Sequence, residues 1–162
     1  MFKKYGVFGI FLILFVEINF FLQIQPFANW YFPIVWLGYI LVLDAVIFKL
    51  KKSSMISNRP WYALGLFIVS SFLWWIFEFM NASTGNWDYA RIPFESTTLK
   101  NLFGTVAFAT VLPAFFETVE LIRSIHVFDK VKLKRKHWLS FTRLCSSVVE
   151  HCFRKAGVGS SN

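Results

Sequence analysis

Four stretches of the chain, 5–23, 32–48, 61–80 and 102–121, are apolar over about the 20 helical residues needed to cross a ~30 Å hydrocarbon core. Inside lipid a segment must satisfy its own backbone hydrogen bonds, so each stretch is predicted to be an α-helix. Only 16% of the 162 residues are charged, against about 25% in an ordinary water-soluble domain. The 21 Phe and 7 Trp would be a liability in water but suit a protein dissolved in lipid. The expected fold class is all-α: a polytopic membrane protein with four transmembrane helices within residues 1–129. Disordered, disulfide-framed and nucleic-acid-binding classes fit this composition poorly.

Local signals refine the spans. Pro33 and Pro60 stand where first helical turns begin, a place that lacks an intrahelical N–H partner anyway. Pro113 falls inside the fourth span and is expected to kink it. Trp30, Tyr31, Trp61 and Trp87 lie near predicted span ends, as interfacial aromatics do. Lys3 and Lys4 ahead of an apolar run resemble a signal peptide, but Glu17 and Asn19 interrupt that run and no small-x-small site follows. The first helix is therefore read as retained.

Basic residues set the orientation. Lys3, Lys4, Lys49, Lys51, Lys52, Arg59, Arg123 and the cluster at 130–136 (KVKLKRK) fall on one side, and only Arg91 and Lys100 on the other. The positive-inside rule places both termini in the cytoplasm, N-in and C-in, in what is read as a bacterial inner membrane. The segment 130–143 is then a basic juxtamembrane strip for anionic lipid headgroups, not a nucleic-acid site. Its end, HWLSF at 137–141, looks like the entry to another span.

The last residues, 144–162 (LCSSVVEHCFRKAGVGSSN), are polar and carry no helical stripe. They resemble an in-frame translation of a bacterial tRNA gene, with a D-arm over 145–151, an anticodon hairpin over 152–156 and a T-arm core over 159–162. The resemblance implies a non-native tail without function, in which Cys145 and Cys152 need no redox or metal role. His126, His137 and His151 are scattered and read as solvated. No metal or cofactor is expected.

Four carboxylates lie inside predicted spans: Glu17, Asp44, Glu78 and Glu117. Each costs about 2.5–3.5 kcal/mol at the bilayer centre when charged. No Lys or Arg within a span neutralises them, so they must be protonated, hydrogen-bonded or open to a polar cavity. Burial without a counter-charge suits a proton donor. Glu17 and Glu78 approach the outer side, Asp44 and Glu117 the cytoplasmic third. Helical spacing puts Trp74, Glu78 and Asn81 on one side of the third span, and Thr110, Pro113, Glu117 and Glu120 on one side of the fourth. Polar residues also hold membrane helices together, so each acid has a packing reading beside the chemical one.

Glu78 and Glu117 belong to denser motifs: WWIFEFMN at 74–81, GNWDY at 85–89 and PAFFE at 113–117. Asn86, Trp87 and Tyr89 are expected to fold back on the helix ends as a lid. An acid among aromatic faces suits carbocation chemistry on a long isoprenoid, although Phe and Trp at helical spacing also serve as plain packing and anchoring.

The order Glu78, then Gly85–Tyr89, then Pro113–Glu117 is similar to the layout of the lycopene cyclase domain, a small helical membrane unit usually present in two copies. The expected paired acid after the proline is replaced here by Ala-Phe-Phe-Glu. The chain also resembles a family of bacterial multi-pass proteins with a repeated WWxFExxN…NWxY…P…FE unit, which implies a missing second half, or a second copy of the chain as partner. Three functions are expected to compete. One is an isoprenoid-lipid enzyme with Glu78 or Glu117 as acid and Trp74, Asn81, Asn86, Trp87, Tyr89, Asp44 and Glu17 around the substrate. Another is half of a proton- or cation-coupled carrier, with the acids as a relay. The third is a structural or assembly subunit.

Overall fold

A computed structural model describes residues 2–89, 92 and 94–125. Four long helical segments form the fold: α1 (Lys4–Phe21), α2 (Tyr31–Lys51), α4 (Pro60–Thr84) and the pair α5 (Thr97–Ala109) and α6 (Val111–Ser124). A single-turn helix, α3 (Met55–Asn58), sits in the connection between α2 and α4. All four segments are long and apolar enough to cross a membrane, the last counted as Thr97–Ser124. The chain is a multi-pass, all-α membrane protein. The calls on the strip 130–143, the HWLSF segment and the tail 144–162 lie outside the described residues.

Helix ends follow local chemistry. Pro60 opens α4, where a missing N–H costs nothing. Gly85 closes it in the left-handed conformation at φ 58°, its N–H bonding the carbonyl of Asn81. Helix α2 ends at Lys52, also left-handed, with Lys49 and Lys51 against the negative end of its dipole.

Helices α1 and α2 pack most intimately because glycines let their backbones meet. A Cβ on Gly9 would stand 2.8 Å from the carbonyl oxygen of Gly38, and one on Gly6 would collide with the Cβ of Ala45. Lipid gives no hydrophobic drive between helices, so this close van der Waals seam carries much of the pairing. Helix α4 is the least covered, with 11% of its span buried. Phe72 and Phe79 on it are 66% and 79% exposed, the pattern of a surface solvated by acyl chains.

The fourth span is broken between Ala109 and Val111, a few residues before the proline expected to kink it. Proline lacks an N–H and its ring crowds the carbonyl four residues earlier, here Ala109, so the damage appears upstream. Ser70 of α4 repairs the break. Its hydroxyl donates to the Phe108 carbonyl at 2.6 Å and accepts the Leu112 N–H at 3.0 Å. Thr110 adds a bond to the Ala107 carbonyl at 2.7 Å. Buried in lipid, such freed backbone groups need protein partners.

Candidate functional site

The in-span acids separate by their partners. Glu17 accepts from the Tyr31 hydroxyl at 2.7 Å, tying α1 to α2. Asn19, two residues on, donates to its own helix at Phe15. Asp44 is fully buried and accepts from the Tyr5 hydroxyl, from Ser54 Oγ at 2.7 Å and from the Ile56 N–H at 2.7 Å. It is the knot that fastens α1 and the α3 turn to α2. Tyr5 also shares a hydrogen bond with Ser57 at 2.9 Å.

Glu78 gathers the 85–89 loop. Its Oε1 accepts from the Tyr89 hydroxyl and, at 3.2 Å, from the Trp87 indole. Asn81 clamps the same loop: its Oδ1 accepts the N–H groups of Asn86 and Trp87, at 2.9 and 3.1 Å, and its Nδ2 donates to the Trp87 carbonyl at 2.8 Å. Asn86 reaches Thr84 at 2.9 Å. The loop folds back on the helix end. Trp74 packs beside it on Phe77 and Phe108, and Tyr89 approaches Phe108 as well. Burial, then the bond to Glu78, pushes the Tyr89 phenol above its ordinary value, so it stays a donor. The Trp74 indole N–H in this cluster is buried and unpartnered.

Glu117 differs from the other in-span acids. It is 2% exposed, and neither carboxyl oxygen has a hydrogen-bond partner. The Asp44 carboxyl lies within reach of it and Glu120 is close by, and no cation pairs with it among the described residues. It lines a cavity of about 440 Å³ between the end of α2, the α3 connection, the start of α4 and α6. Lys51, Arg59 and Arg123 also line it, together with Ser53, Ser54 and Tyr62. Lys51 is held by Glu120 at 2.6 Å, whereas Arg59 and Arg123 make no ion pair among the described residues. Glu117 lies deep and the two arginines are exposed, so the cavity runs from a basic mouth to an acidic floor.

The expected site residues therefore do not form one constellation. Glu78, Trp74, Asn81, Asn86, Trp87 and Tyr89 cluster at one end; Asp44 and Glu117 belong to the other, and Glu17 stands apart. Ser70 meets Leu112, and at about 1.5 Å of rise per residue from that contact Glu78 and Glu117 stand roughly 20 Å apart along the bundle. Lys51, Arg59 and Arg123 enter sequence reasoning only as orientation markers. Their shared side of the membrane was the available signal. No family model, curated protein or solved structure matches the chain.

Proposed function

We propose that the protein is a membrane-embedded enzyme that modifies a lipid, with Glu117 as the proton-transferring acid. The carrying observation is that Glu117 is buried beside a cavity with no donor on either carboxyl oxygen, while Glu17, Asp44 and Glu78 each accept hydrogen bonds. An intramembrane ionisable group without a packing partner is costly, and its persistence points to chemistry. A purely structural role would leave every acid paired. A relay would require polar groups continuous from Glu78 to Asp44, and the hydrogen bonds among the described residues do not run that way.

Tyr62 and Phe116 flank the cavity, and their faces suit developing positive charge. The cyclase-like order of motifs implies an isoprenoid chain. Glu117 would then give its proton to a C=C carbon, the π pair forming the new C–H bond and leaving the cation on the neighbouring carbon. Loss of a proton from an adjacent carbon back to Glu117 would restore the acid. In this reading Glu78 positions the 85–89 loop, and the basic end faces the cytoplasm of a bacterial inner membrane.

The test uses purified protein in vesicles of total bacterial lipid extract, with lipids profiled by liquid chromatography and tandem mass spectrometry, which resolve isomers of equal mass. Wild type is expected to generate a new lipid species and Glu117→Gln to generate none while melting like wild type. Identical lipid profiles with and without protein would overturn the reading.

A further inference from the structure

The cavity holds more positive charge than its own acids use. Lys51 is neutralised by Glu120, but Arg59 and Arg123 bring two guanidinium forks to one small mouth with no ion pair among the described residues. Two cations facing one cavity repel until an anion lies between them. Ser53 and Tyr62 add hydroxyls, and α4 begins beside the cavity at Pro60 with no acidic residue in its first turn. The positive end of that long helix favours an anion.

From this geometry we infer that the mouth of the cavity binds a phosphate monoester, the head group of the lipid whose chain reaches Glu117. Two arginines offer more N–H donors than a carboxylate has acceptors, and match the several terminal oxygens of a phosphate. The volume is that of a small-molecule site. The mouth lies where α2 ends and α4 begins, at the level of lipid head groups, and Met55 and Phe116 add apolar surface to the lining. Glu117, the buried and unpartnered group on the floor, is left to the atoms behind the phosphate. The inference deepens the lipid-enzyme reading and rests on it for the fate of the bound lipid, not for binding.

Protein would be equilibrated with phosphatidylcholine vesicles containing equal amounts of phosphatidic acid and diacylglycerol, and lipid retention read by native mass spectrometry. Phosphatidic acid should be retained at least about tenfold over diacylglycerol, roughly one strong charge-assisted contact. Arg59→Gln with Arg123→Gln should bring the two lipids to parity. Arg59→Lys with Arg123→Lys, which keeps charge and solubility, should fall between, because an ammonium loses the bidentate fork.

Equal retention of both lipids by wild type, or retention indifferent to the arginine pair, would overturn the inference. Full displacement of phosphatidic acid by an equal concentration of inorganic phosphate would assign the site to the free anion and overturn the lipid head group. Retention without any lipid product would sink the enzyme reading alone. Product from a phosphate-free lipid without retention of phosphatidic acid would sink this inference alone.

Discussion

Ser70 and Leu112 are joined across the break in the fourth span: the serine hydroxyl accepts the Leu112 N–H at 3.0 Å while donating to the Phe108 carbonyl at 2.6 Å. One side chain of α4 thereby bridges the Leu112 N–H and Phe108 carbonyl, the backbone pair left unjoined at the break ahead of Pro113. The same contact holds α6 at the height where Glu117 meets the cavity.

Ser70→Ala is expected to destabilise the protein by about 1–3 kcal/mol, because it leaves a buried donor and acceptor unpaired. Pro113→Ala should let the helix close through the break and make Ser70 redundant. The two changes are expected to be non-additive in a double-mutant cycle of detergent-solubilised protein. Additive losses would mean that the serine does not serve the break.

Asp44 receives three donors, two on Oδ2 and the Ile56 N–H on Oδ1. An asparagine there has only one acceptor oxygen, and its amide nitrogen must face a donor. Asp44→Asn should therefore cost nearly as much as Asp44→Ala, on the order of 3 kcal/mol or more for a fully buried hub. Tyr5→Phe removes one of three bonds and should cost only about 1 kcal/mol. Thermal unfolding of the four proteins, followed by circular dichroism, checks the ranking. A silent Asp44→Asn would show that the carboxylate is not the knot.

The α1–α2 seam predicts a sharp positional contrast between glycines. A Cβ at Gly9 meets the Gly38 carbonyl at 2.8 Å, backbone that cannot swing aside, whereas a Cβ at Gly65 meets nothing within 4 Å. Gly9→Val is expected to lose about 1–3 kcal/mol by overpacking. Gly65→Ala should be neutral or slightly stabilising, since alanine is the better helix former. Equal effects at the two sites, read as shifts in melting temperature, would contradict the close approach.

How much of this was legible in the residues depended on how local the contact is. The four spans and the acids within them follow from hydropathy and charge along the chain. The fold-back of Trp87 and Tyr89 onto Glu78 was also readable, because its partners lie within 11 residues. The cavity was not, since Lys51 and Arg59 lie at the two ends of the α2–α4 connection and Arg123 more than 60 residues later, and only tertiary packing brings them to one cavity. Ser70 gave no signal either: a serine in an apolar helix reads as a weak helix former until the broken backbone opposite it is known. The unpartnered state of Glu117 is likewise a property of what surrounds it, and its sequence spacing matches that of acids that turn out to be paired.

The 85–89 loop should respond to pH through Tyr89. Its phenol is raised above the ordinary value of 10.0, first by burial and then by the bond to Glu78. A group with a raised folded pKa contributes stability that is fully present below the unfolded value and is lost as pH rises through the folded one. The clamp on Glu78 should therefore hold unchanged from neutral pH to about pH 10 and release only in more alkaline solution. Limited proteolysis within 85–89 should stay slow over that range in wild type and accelerate above it. In Tyr89→Phe, which lacks the hydroxyl, cleavage should be faster already at neutral pH and show no alkaline step of this origin. Ultraviolet difference spectra between the two proteins should place the Tyr89 tyrosinate signal later in the titration than that of an unperturbed tyrosine. An early signal, or a loop equally protected without the hydroxyl, would show that Asn81 alone holds the loop and that the bond to Glu78 is incidental.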